Sequence, residues 1–128
     1  MVQQAACHAI ELIAFGGAAA RAQANADGAP EAAVGAVKAH KGAVYLQQAA
    51  LAALQALASE GPGVKERIAK AGAVGAVIAA LAEHRDDHQV QYWGRLLLRD
   101  LSDASTDVKA EVTRKCHFQG IELDPGAG

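Results

Sequence analysis

Apolar side chains recur every three or four positions along most of this chain, the spacing that puts them on one face of a helix. In residues 2–14, Ala6, Ala9, Ile10 and Ile13 share one face, and Gln4, His8 and Glu11 share another. The same reading gives a short helix over 18–26, a helix from Pro30 to about His40, and a long helix over 43–59. The inward positions of the long helix are Leu46, Ala50, Ala53, Leu54 and Leu57. A second short helix covers 64–70, with Ile68 inward and Lys65, Glu66 and Arg67 outward. Residues 73–84 and 88–102 follow, the latter with Val90, Gly94, Leu97, Leu98 and Leu101 inward. A last helix striped by Val108 and Val112 runs to about Lys115, and 117–123 reads as a truncated element.

The breaks carry their own chemistry. Gly16-Gly17 and Asp27-Gly28 suit helix ends because glycine tolerates the left-handed conformation. Gly61-Pro62-Gly63 is the strongest break in the chain. Pro30 fits a first helical turn, where its missing N–H costs nothing. Asp86 or Asp87, and Ser105 or Thr106, are N-cap candidates because their side-chain oxygens accept an orphan backbone N–H.

The pattern also copies itself at an offset of 44 positions. Gly28-Ala29 matches Gly72-Ala73, Val34 matches Ile78, Val37 matches Leu81 and His40 matches His84. Leu46-Gln47 matches Val90-Gln91, Leu54 matches Leu98 and Leu57 matches Leu101. One step earlier, Val2-Gln3-Gln4-Ala5-Ala6 matches Leu46-Gln47-Gln48-Ala49-Ala50, and Ile10 and Ile13 match Leu54 and Leu57. At the far end Cys116 stands where Gly28 and Gly72 stood, with Phe118 and Ile121 in the apolar places of Val74 and Val77. A self-match at one offset across a chain is the signature of a repeat protein.

Composition narrows this picture. The chain has 128 residues, enough for one folding unit. About a quarter is alanine, which favours helix and lets helices approach closely. The formal net charge is −2 and no basic block stands out, so nothing invites nucleic acid or an anionic membrane. No long uncharged apolar run suggests a membrane span, and no secretory signal is visible at the N-terminus. Cys7 and Cys116 lie near opposite ends, which argues against a disulfide and for a reducing, intracellular setting; the cytoplasm is expected, with the nucleus also open.

Candidate chemistry adds little. His84-Arg85-Asp86-Asp87-His88 suggests metal ligation, but structural zinc wants four ligands and a turn separates the two histidines. His84 also matches His40, and a histidine at a helix C-terminus is favoured by the partial negative charge there. The pairs Cys7-His8 and Cys116-His117 have no partner at metal spacing, and their separation argues against a Cys/His nucleophile. Gly72 to Gly75 is a helix corner, not a phosphate loop. No catalytic constellation emerges; no enzyme activity, metal or cofactor is expected.

The stretch from Val64 to Ser102, with its charged short helix, Ala-Gly-Ala corner, apolar second helix and third helix ending in Leu-Ser, resembles an armadillo repeat. The resemblance implies an all-α fold, a right-handed α-solenoid (superhelix) of stacked three-helix armadillo-like repeats. Residues 1–123 would form the repeat domain, divided into a partial repeat 1–15, repeats 16–59 and 60–103, and a partial repeat 104–123; 124–128 would be a disordered tail. The two-helix HEAT class is the structural alternative. Two family features are absent: Glu31 and Gly75 replace the proline of the second helix, and His8, Ala52 and Leu96 replace the tryptophan ladder of the third. Binding of nuclear-localisation peptides is therefore not implied.

In such stacks the third helices line a concave surface, and stacking joins the apolar faces into one core. That surface would present Gln4, His8 and Glu11, then Gln48, Ala52 and Gln55, then Tyr92, Leu96, Arg99 and Asp100. Glutamines there are suited to a peptide backbone, and Tyr92 and Leu96 to an apolar anchor. Trp93 replaces Ala5 and Ala49 of the other units and is expected to pack against the preceding helix. The expected function is a non-enzymatic scaffold that binds an extended peptide or a helix of another protein. The alternative is a structural piece of a longer solenoid, or a unit that self-associates as a homo-oligomer through uncapped ends. A designed consensus array is a third reading, against which the divergence between units argues.

Overall fold

The computed structural model describes Gln23 and residues 28–121. Those residues form six α-helices and no strand: α1 (Ala29–Ala39), α2 (Val44–Ala58), α3 (Pro62–Lys70), α4 (Ala73–Glu83), α5 (His88–Ser102) and α6 (Thr106–Gln119). None is long and apolar enough to cross a membrane. The helix expected over 2–14 and the tail 124–128 lie outside the described residues; of the helix expected over 18–26 only Gln23 is described, and it is helical.

The self-match reappears as geometry. α4 begins and ends 44 residues after α1, from Ala29 to Ala73 and from Ala39 to Glu83. The long helices α2 and α5 keep the same offset, from Val44 to His88 and from Ala58 to Ser102. α2 packs along α5 more extensively than any other pair, α1 packs on α2 and α4 on α5, and α1 also meets α4. The short helix α3 touches α1, α2, α4 and α5, and so bridges the two pairs.

Local chemistry sets the corners. Gly28 and Gly72 adopt φ of +85° and +96° immediately before α1 and α4. Side chains with a Cβ are strained there, so glycine at both positions fixes the turn. Asp87 caps α5 by accepting the Val90 N–H at 2.8 Å. Ser105 caps α6 in the same way at 3.2 Å from the Val108 nitrogen. Pro62 lies in the first turn of α3, so the Gly61-Pro62-Gly63 break is narrower than the sequence suggests.

The core is thin and made of small aliphatic side chains. Val34, Val37, Leu46, Leu51, Leu54 and Leu57 join Ile68, Val74, Val77, Leu81, Leu97, Leu98 and Leu101 in one cluster. Close approach depends on Gly94, where a Cβ would lie 2.7 Å from Leu81 Cδ2. Every inward position expected on α2 and α5 is buried.

Two departures concern the last helix. The sequence stops it near Lys115 and puts a corner at Cys116. Instead α6 continues to Gln119, with Cys116 buried inside it and Gly120 (φ +71°) as its left-handed end. The reason is physical: Cys116 lacks the conformational freedom of Gly72, and its thiol completes the Val108–Val112 stripe. Of the two apolar residues expected to hold second-helix places, Ile121 packs against the core but Phe118 is 85% exposed.

Candidate functional site: the face of the long helices

Each long helix is tied to the helix before it by a glutamine. Gln47 is fully buried, and its Nε2 donates to the carbonyl oxygens of Val37 at 3.2 Å and His40 at 2.7 Å. One unit later Gln91 Nε2 donates to Leu81 and His84 oxygens, both at 3.0 Å. These four carbonyls end α1 and α4, where no intrahelical donor remains. The clamp therefore fixes how each long helix leaves its predecessor.

Other bonds run between units. His84 Nε2 lies 2.6 Å from the Lys41 oxygen. Lys38 Nζ donates to the Ala71 oxygen at 2.9 Å. The Arg67 guanidinium holds Glu31 through two nitrogens, at 2.7 and 2.9 Å, which lowers the Glu31 pKa below its usual value.

The same ties alter the expected ridge. Gln48 Nε2 donates to both Asp87 carboxylate oxygens, at 3.0 and 2.9 Å. Gln55 Nε2 donates to Asp100 Oδ2 at 2.6 Å. The amides expected to meet a peptide backbone are thus engaged within the fold, and Asp100 with them. Ala52, expected on the surface, is buried. Asp87 is held below the ordinary carboxylate range by the Val90 N–H first and the Gln48 amide second.

Apolar groups and one cation remain accessible. Tyr92 is 61% exposed, Arg99 is exposed and Leu96 is half-buried. Trp93 is half-buried against the core; its ring meets Tyr92 edge to face at 5.0 Å and its Nε1 donates to Gln89 Oε1 at 3.2 Å. Tyr45, at the start of α2, is 79% exposed. It precedes Gln48 by three positions, as Gln89 precedes Tyr92, and so belongs to the same face. The sequence reading passed over it, although that spacing was its signal. Gln4, His8 and Glu11 lie outside the described residues.

Among the described residues no group of three or more His, Cys, Asp or Glu side chains is arranged to hold a metal ion. Cys116 is buried, and that burial raises its thiol pKa. No protein-family model, curated protein or solved structure matches this chain.

Proposed function

We propose that this chain is a non-catalytic protein–protein interaction module, built as an armadillo-like right-handed stack. Its α2–α5 face takes an extended segment or a helix of a partner protein. The observation that carries the reading is the aromatic set Tyr45, Tyr92 and Trp93, two of them largely exposed, on two helices packed side by side. Tyrosine and tryptophan dominate interface energetics because they bury much area at little entropic cost. Leu96 and Arg99 extend the surface towards the C-terminal ends of the long helices. The polar groups between them are tied to one another, which leaves the surface rigid before binding. The 44-residue recurrence of the α1–α2 pair as α4–α5 supports the stacked architecture. The proposed setting is the cytoplasm.

The test is capture from lysate of the source organism, with cross-linking mass spectrometry to place the contact. Wild type is compared with Tyr45→Ala/Tyr92→Ala and with Leu96→Asp, each shown to be folded by circular dichroism. A protein cross-linked to this face and lost from both variants supports the proposal. Equal capture by all three, with cross-links elsewhere, overturns it.

A further inference from the structure

A groove of about 330 Å³ runs between α4 and α6. Gly75, Ile78 and Ala79 form its α4 wall, and Arg114, Lys115 and Phe118 line it from α6. Phe118 is 85% exposed, the most exposed large apolar side chain among the described residues. Arg114 is exposed and has no ion-pair partner among the described residues, whereas Lys115 is paired with Glu111 at 2.7 Å.

The molecule contains the same surface once more, already occupied. Gly75, Ile78 and Ala79 correspond to Glu31, Val34 and Gly35 of α1, one unit earlier. There, α4 packs against both α1 and α3. Val34 and Ile78 are both buried, so what the groove leaves uncovered is Phe118 and the small residues Gly75 and Ala79. The internal occupant is thus a helix, made almost wholly of Ala, Val, Gly, Ile and Leu. The small residues Gly75 and Ala79, spaced i and i+4, allow equally close approach in the open groove. The charge differs: Glu31 pairs with Arg67 in the occupied site, while in the open one Gly75 and Glu111 stand at those places, Glu111 is paired with Lys115, and Arg114 stands at the place of Lys70. A helix seated there meets the exposed Arg114 guanidinium, which has no carboxylate partner among the described residues.

We infer that the α4–α6 groove is a second docking site, which takes an amphipathic helix of a partner protein, apolar on one face and acidic at the edge that meets Arg114. Recognition follows the helix-in-groove mode, with anchors at i, i+3 or i+4, and i+7. Phe118 closes over the apolar anchors and Arg114 sets the preference for a carboxylate. The site is separate from the aromatic face of α2 and α5 and does not depend on it.

The experiment is selection of a displayed library of helical peptides on the full chain, followed by anisotropy titrations of the enriched sequences. Phe118→Ser and Arg114→Glu serve as variants; both side chains are exposed, and circular dichroism checks folding. The expected winners carry helically spaced apolar residues beside Asp or Glu. They lose about tenfold or more in affinity with either variant, a hot-spot-sized effect. Exchanging their acids for lysine restores binding to Arg114→Glu. Winners that ignore both variants, winners without acids, or no enrichment would overturn the inference. So would a Phe118-dependent dimer in sedimentation velocity, which makes a second copy the occupant.

Discussion

Gln55 reaches from α2 to Asp100 on α5, with its amide nitrogen 2.6 Å from the carboxylate oxygen Oδ2. Asp100 lies near the C-terminal end of its helix, where the partial negative charge of unpaired carbonyls disfavours a carboxylate. The Gln55 amide offsets that cost and ties adjacent units together. A double-mutant cycle of Gln55→Ala and Asp100→Ala, read by urea unfolding, should give a coupling of about 1 kcal/mol. Gln55→Ala should leave partner affinity unchanged. A stability coupling near zero, or a large affinity loss, would return Gln55 to the role of a peptide reader.

The buried clamp is less forgiving. Gln47→Glu places a carboxylate against the carbonyl oxygens of Val37 and His40 and removes the amide that donates to both. Unfolding free energy at neutral pH should fall by about 3 kcal/mol or more. The carboxyl pKa in the folded variant is raised by burial and by the two oxygens, so the folded state holds its proton to higher pH than the unfolded chain. The deficit should therefore shrink on acidification, as the protonated carboxyl donates again. Urea titrations at neutral and acid pH measure this. Gln91→Glu, in a half-buried site, should cost less.

Two helix glycines should respond with opposite signs. Gly94→Ala gains helix propensity of about 1 kcal/mol but drives its Cβ into Leu81, which is 2% exposed and enclosed. Overpacking of about 1–3 kcal/mol outweighs the gain, so the variant should be less stable. Gly75→Ala meets only Lys115 Nζ at 3.7 Å, an ordinary contact. It should stabilise by about 0.5–1 kcal/mol. Thermal melts of the two proteins side by side decide the matter.

Asp87 caps α5 and accepts the Gln48 amide, and both bonds favour its ionised form. Its folded pKa lies below the ordinary value of 3.8, so its contribution is complete above that value and lost as pH falls through the depressed one. Asn caps a helix about as well as Asp but carries no charge. Asp87→Asn should therefore melt below wild type at pH 7, and the two curves should converge in acid. A constant gap at every pH would show that the charge is not what matters.

Much of the architecture was written in the periodicity. Inward positions such as Leu54, Leu57, Leu98 and Leu101 follow from helical spacing, and Gly28 and Gly72 mark corners that only glycine takes easily. The ridge was legible only in part. Spacing shows that Gln48 and Gln55 share a face, but not that each has a carboxylate waiting on the next helix. Such pairings depend on how two helices lie side by side, which no local pattern records. Tyr45 was missed because it sits at a helix start, before the apolar stripe begins. Cys116 misled because a matching position does not transfer a glycine's freedom to a residue with a side chain.

That last residue also shifts the phase of the helix end. Gly72 comes just after the short helix α3; one unit later the left-handed glycine is Gly120, four positions late. Four positions move the exit point by about 6 Å along the helix axis and turn its direction by about 40°. A polypeptide leaving Gly120 therefore starts from a different origin and heading than α4 did after Gly72. The 44-residue register that relates α1 to α4 and α2 to α5 is therefore lost at the end of α6.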